Sequence, residues 1–443
     1  MSEFLLSRVC RLGVRPTHSY RVLLLSTALV LAGRESVAQS SASITAERVT
    51  LRAVFDSVRS NNPMLGAANA HVRAARGGLS SARTWTNPVV SVESQQMSEQ
   101  GHGLPSQRET MTTAMIPLEP FYQRGPRIQR ARALIRANEA DVLTQRQQIA
   151  LDAADTFYEV ALAQVNVSAT RSLAQWFDTV VTYNSVRVRE GVTAEADLIR
   201  SELERDHVLN ELAMAESDLV RAEADLQTFI RIRPDPAGVR VEVDSVPIHM
   251  SRTTTTALRP EVEAARQRVV ASEAATASEK RMFLRELGAM VGTKTMGGSS
   301  SLVTGFTVPF PLLDQNRGSI SAARAERDAA RFDLEFEQRR AAADVSGAER
   351  AARILTERVA AFGSGKAGYL ARAEEGRKIA LGAYREGGTT LLQVIDAARA
   401  WREARASYFE TLFAQHRAVI RLLAAQGVDV LDAWPGIRSG ASQ

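Results

Sequence analysis

Between Ser301 and Phe310 the chain alternates. Leu302, Thr304, Phe306, Val308 and Phe310 fall on one side, and Ser301, Val303, Gly305 and Thr307 on the other. A period of two predicts a strand with one apolar face and one small or polar face. Strand-like segments also lie at 87–97, 108–118 and 286–296, although 108–118 alternates poorly. Elsewhere the pattern is helical. Helices are predicted near 48–84 and 258–284, with Pro63 and Pro260 in or near their first turns, where proline is tolerated. Very long helical stretches follow at 122–187 and 316–385, and return helices at 193–230 and 389–426. At 1.5 Å per residue, the long stretches reach roughly 100 Å, a rod no globular domain requires. Gly191 and Gly387 end them, while Gly363, Gly365 and Gly368 predict a local loosening inside the second.

The plan is written twice. Asn62-Pro63-Met64-Leu65 returns as Arg259-Pro260-Glu261-Val262, and Pro117-Leu118 with Arg124-Gly125 returns as Pro311-Leu312 with Arg317-Gly318. Arg189-Glu190-Gly191-Val192-Thr193 returns as Arg385-Glu386-Gly387-Gly388-Thr389. Three landmarks in one order and at nearly one offset indicate a duplication, with a period far too long for a solenoid. The predicted organisation is a leader at 1–38, a first repeat at 39–230, a linker at 231–257, a second repeat at 258–427 and a tail at 428–443.

The leader reads as a secretory signal. Arg8, Arg11, Arg15 and Arg21 precede the apolar run from Val22 to Ala32, and Ser36-Val37-Ala38 supplies small residues for cleavage. Arg34 stands where a lipoprotein would carry its acylated cysteine, so no lipid anchor is expected. Residues 1–38 hold five arginines against two glutamates, so their removal takes the net charge from +5 to +2. Nucleic-acid binding then loses its electrostatic motive. Cys10 is the single cysteine of 443 residues, which excludes a disulfide framework. Only 6% of residues are aromatic, which favours long helices packed side by side.

No later stretch offers about 18 consecutive apolar residues, so no transmembrane helix is expected. Each predicted strand, however, has the length of a tilted strand crossing an outer membrane. Four strands cannot remain open in lipid, since their edges would lack hydrogen-bond partners. Nor can four close a barrel, because barrels begin at about eight strands. The chain must share a barrel with copies of itself, and a water-filled conduit favours three copies over two. The connections at 98–107 and 297–300 are the expected cell-surface turns.

At this point the residues resemble a family, the TolC-type outer-membrane efflux channels. Asn61-Asn62-Pro63, Trp85-Thr86-Asn87-Pro88, Gln123-Arg124-Gly125, Pro309-Phe310-Pro311-Leu312-Leu313-Asp314-Gln315-Asn316-Arg317-Gly318 and Tyr384-Arg385-Glu386-Gly387 look like its signatures. The resemblance covers about 47–430, and the long proline-flanked run most resembles the heavy-metal cation efflux branch. It implies a homotrimer with a twelve-stranded β-barrel in the outer membrane and a helical α-barrel crossing the periplasm. The implied partners are an inner-membrane pump and its periplasmic adaptor, with outer-membrane lipid around the barrel. The resemblance also implies a gate at the helical tip, beside Gly191 and Gly387. Asp197 matches a gate-linking aspartate and Tyr384 its tyrosine partner, while Asp396 matches a pore-ring acid. Gln393 and Thr389 depart from the acid and the arginine that drug-exporting members carry there.

Other chemistry is weakly signalled. The six histidines show no convergent metal spacing, and no nucleophile elbow, phosphate loop or zinc-protease signature occurs, so neither catalysis nor a cofactor is expected. Met97, Met111, Met115, Met290 and Met296 sit in or beside the strands, where packing is the default and a copper relay a remote alternative. Two rival readings are a periplasmic coiled-coil adaptor without a barrel and a hydrolase with helical insertions. The first leaves the four strands unexplained; the second lacks a nucleophile motif.

Overall fold

The computed structural model describes residues 49–97, 107–230, 239–243, 259–282, 287–310, 312–363 and 365–433. The leader, the first surface turn and most of the linker lie outside the described residues. The elements run α1 (Leu51–Asn61), α2 (Pro63–Arg83), β1 (Val89–Met97), β2 (Gln107–Pro117), α3 (Glu119–Arg189) and α4 (Glu195–Gln227). They continue as α5 (Pro260–Glu279), β3 (Gly288–Met296), β4 (Ser299–Thr307), α6 (Arg317–Ala361), α7 (Tyr369–Arg385) and α8 (Leu391–Ala425). Every predicted element is present, and two of the long helices are divided.

The helix expected over 48–84 breaks at Asn62. Its side chain accepts from the Met64 amide at 2.8 Å, and Pro63 takes the first helical position of α2. An N-cap followed by proline starts a new helix rather than continuing the old one. The second break replaces the expected loosening with a defined joint. Gly363 and Gly365 have φ of +67° and +71°, which end α6, and a short 3-10 turn (Gly365–Ala367) leads into α7. Across the joint Phe362 stacks on Tyr369 with centroids 4.9 Å apart, and Arg358 lies over Phe362 at 4.8 Å.

By contrast, α3 is unbroken for 71 residues, about 105 Å at 1.5 Å per residue. Pro126 lies inside it and cannot bond the carbonyl of Tyr122. Arg281 Nη1 donates to that carbonyl at 2.9 Å instead. The signature residues nearby serve as caps. Arg124 and Arg127 donate to carbonyls at the end of α2, Arg83 and Thr84. In the second repeat Asn316, in the left-handed region at φ 53°, donates to the Glu279 carbonyl at the end of α5.

The four strands form one antiparallel meander, β1-β2-β3-β4, with β1 and β4 at its edges. Its central pairing joins the repeats: Met115 faces Met290, Ala114 faces Val291 and Glu109 faces Met296. Gly292 sits opposite Thr113, where a β-carbon would lie 2.2 Å from the Thr112 carbonyl oxygen, so only glycine fits. β3 and β4 are joined by Gly297-Gly298, both with positive φ, the backbone a two-residue hairpin of type I′ requires.

The largest apolar core lies midway along the helices, where α1, α3, α6 and α8 meet around Phe55, Phe157, Val359 and Leu412. The described part of the linker joins this level. Val49 and Val241 form a parallel bridge, in which the Val49 amide donates to the Arg240 carbonyl at 2.8 Å and the Glu242 amide to the Val49 carbonyl at 2.9 Å. Among the described residues no helix is long and apolar enough to cross a membrane.

Candidate functional site: the helical tip and the two faces of the sheet

The tip is built from two equivalent turns. In the first, Gly191 has φ +72° and the Val192 amide bonds the Arg187 carbonyl at 2.9 Å. In the second, Gly387 has φ +77° and the Gly388 amide bonds the Ala383 carbonyl at 2.8 Å. Both bonds span five residues, the helix-ending motif that needs a left-handed residue. Each turn sends the chain back through α4 or α8. Behind the turns Phe177 and Val180 of α3, Val208 of α4 and Leu391, Val394 and Ile395 of α8 form a second core. Arg377 of α7 lies 4.5 Å over Trp401 of α8 and 5.9 Å over Trp176 of α3, tying three helices by cation–π contact.

Tyr384 is part of that core. The resemblance pairs it with Asp197; within the chain the bond goes elsewhere. The Tyr384 hydroxyl donates to Asn184 Oδ1 at 2.7 Å, and both residues are buried. Burial raises the Tyr384 phenol above its ordinary value, and the bond to Asn184 opposes that rise. The Asp197 charge pushes it further up, so the aspartate is a neighbour and no acceptor. Asp197 lies in the first turn of α4, where the helix N-terminus favours a negative charge. A carboxylate beside a buried core loses hydration, whereas a neutral amide loses less, which favours Asn184 as the buried acceptor.

Asn184 was not among the residues singled out in the sequence. Its one signal there is a polar residue on the α3 stripe that otherwise carries Phe177 and Val180. Its Nδ2 is buried without a hydrogen-bond partner in the chain. Tyr183 adds a second link between the turns: its ring meets Tyr384 at 5.9 Å and its hydroxyl donates to the Arg385 carbonyl at 3.0 Å. Gln393 and Asp396 lie exposed on the first turns of α8. The Thr389 hydroxyl bonds Gln393, so the two departures from the drug-exporting pattern satisfy one another.

At the opposite end, strand register sorts the sheet into two faces. Val90, Val92, Ala114, Ile116, Ala289, Val291, Leu302 and Phe306 share one; Leu302 and Phe306 are 73% and 80% exposed in the single chain. The other carries Ser91, Glu93, Glu109, Thr113, Lys294 and Ser301, with Lys294 Nζ 2.6 Å from Glu109 Oε1. A sheet with one bare apolar face and one charged face, unpaired at both edges, fits a barrel wall between lipid and water. Below it Trp85 meets Phe121 edge-on at 5.3 Å, and Phe310, Leu312 and Leu313 are exposed, as expected of a girdle at the membrane interface.

Long paired helices carrying a membrane-length sheet define an outer-membrane channel subunit with a periplasmic helical part. The model of the outer membrane efflux protein family matches residues 54–230, within the first repeat. It is 24% identical over 386 residues to the cobalt-zinc-cadmium resistance protein CzcC of Cupriavidus metallidurans, covering 84% of this chain and 88% of that one. It is 26% identical over 306 residues to the nickel-cobalt-cadmium resistance protein NccC of Alcaligenes xylosoxydans xylosoxydans, covering 65% and 68%. Among solved structures, CusC superposes with TM-score 0.70 at 16% identity, covering 85% of this chain and 92% of that one. VceC of Vibrio cholerae gives 0.69 at 17% identity, covering 85% and 96%. The rival reading of an adaptor without a barrel therefore falls, and the family match agrees with the resemblance of the sequence motifs.

Proposed function

We propose that this protein is the outer-membrane duct of a tripartite efflux system that expels divalent transition-metal cations. Three copies would close a twelve-stranded barrel and a helical tunnel, docked at the tip to a periplasmic adaptor and an inner-membrane pump. The observation that carries the duct reading is the four-stranded sheet, apolar on one face and open at both edges, which cannot be stable alone in lipid. The cargo reading is supported by the relatives, whose names describe resistance to cobalt, zinc, cadmium and nickel.

The two repeats, 39–230 and 258–427 around a linker at 231–257, each supply one hairpin to the tip. In this reading Gly191 and Gly387 set the tip turns, and Tyr384 holds the hairpins together in the resting state. Asp197 would modulate that hold by its charge. Asp396, exposed on α8, would form a ring of three carboxylates that attracts cations at the aperture, with Gln393 neutral beside it.

The test is genetic and electrical together. Deleting the gene should lower tolerance to cobalt, zinc or cadmium salts, and a plasmid copy should restore it. In planar bilayers Asp396→Ala should weaken block by divalent cations. Unchanged tolerance to all three metals would overturn the cargo reading, and unchanged block would remove Asp396 from the aperture.

A further inference from the structure

The sheet's charged face has an unexpected apolar content. Met111, Met115, Met290 and Met296 all lie on it, alongside Glu93, Glu109 and Lys294. The opposite face takes its large apolar residues from valine, isoleucine, leucine and phenylalanine, with Ser94, Gln96, Arg108 and Ser300 toward its far end, and it carries none of these methionines. By register Val89, Met97 and Val303 also fall on the charged face. If packing alone were needed, branched side chains with their high strand preference would serve here as they do opposite. The segregation selects for sulfur.

Met115 and Met290 are directly paired across β2 and β3. Side chains so placed have β-carbons about 4.5–5.5 Å apart, within reach of one ion. Each lies beside a glycine on the same face. A β-carbon at Gly305 would come 3.3 Å from Met290 Cε, and one at Gly288 3.5 Å from Met115 Cγ. The glycines keep room for the flexible thioethers along the wall. Met111 and Met296 follow further up, each step of two residues rising about 6.8 Å. Electrostatics favour a cation here. Lys294 neutralises Glu109, which leaves Glu93 as a net negative charge on this face.

We propose that this face, turned to the water-filled interior, is a stepped thioether wall that binds soft monovalent cations of the Ag⁺ and Cu⁺ class, centred on Met115 and Met290. The proposal rests on the duct reading above. Thioethers select soft ions, and because they are uncharged they hold them weakly. Weak binding at several levels suits conduction, where an ion must enter and also leave.

The experiment uses the full chain, with Cys10→Ser so that no thiol remains, reconstituted in planar bilayers in nitrate salts. Silver nitrate should reduce the conductance, and the hard monovalent salt sodium nitrate at the same concentration should not. In Met115→Leu/Met290→Leu the silver concentration for half-block should rise by at least about tenfold, with conductance before silver unchanged. Wild-type conductance indifferent to silver, or equal block of the double variant, would overturn the thioether wall while leaving the duct intact. Absence of any conductance in wild type would instead sink the duct reading. If the double variant fails to insert, Met115→Leu and Met290→Leu singly should each weaken the block, and two singles blocked like wild type would overturn the proposal.

Discussion

One hydroxyl illustrates what decides the state of the tip. Tyr384 is buried among Leu391, Val394 and Phe177, and among the described residues its hydroxyl bonds the amide oxygen of Asn184. Removing the donor strands a buried acceptor beside an Nδ2 that already lacks a partner in the chain. Tyr384→Phe should therefore weaken the junction of the two turns by about 1–3 kcal/mol. The measurement is single-channel conductance, expected to rise, together with faster amide exchange around 180–190; an unchanged conductance would show that the hold lies elsewhere. The pH dependence has a definite sign. Burial raises the phenol above its ordinary value in the folded state, so its contribution is complete below the unfolded value and is lost as pH rises through the folded one. The tip bond should be indifferent to pH between 6 and 9, and loosen only in stronger alkali.

Elements obey their punctuation. The turn glycines at 191 and 387 do the same work at the same register of the two repeats, and a side chain in that left-handed backbone costs about 1–2 kcal/mol. Gly292 is constrained for another reason, the approach of Thr112 across β2 and β3. Gly292→Val should break the pairing that joins the repeats. Its expected readout is loss of heat-modifiable migration and of outer-membrane assembly, whereas normal assembly would mean β3 can shift to admit a side chain. The division of the second rod at Phe362–Tyr369 has no counterpart in α3, and aromatic stacking across the joint makes it a fixed bend.

For the whole molecule the expectation is a trimer with its hairpin turns outside the cell. The chain has four strands and two open edges, so the mass in detergent should correspond to three copies. Ser299 begins β4 beside the Gly297-Gly298 turn and is exposed. In a Cys10→Ser background, Ser299→Cys should react with an impermeant thiol reagent on intact cells. Protection of that cysteine, with labelling only after the envelope is opened, would invert the topology.

Much of this was legible in the residues themselves. Alternation at 301–310, the paired tip glycines and the recurring offset near 196 required no tertiary information, because strand pleat and helix termination are local consequences of side-chain volume and backbone sterics. The capping work of Asn316 and Arg124 was visible as signature but not as mechanism, since their acceptors lie 37 and 41 residues away. The partner of Tyr384 depended on two helices meeting 200 residues apart, where burial favours an amide over a carboxylate. The common face of the methionines likewise awaited register, because one residue of slip between β2 and β3 would send them to opposite sides. Local chemistry thus set the elements and their ends; only long-range pairing decided which side chains meet.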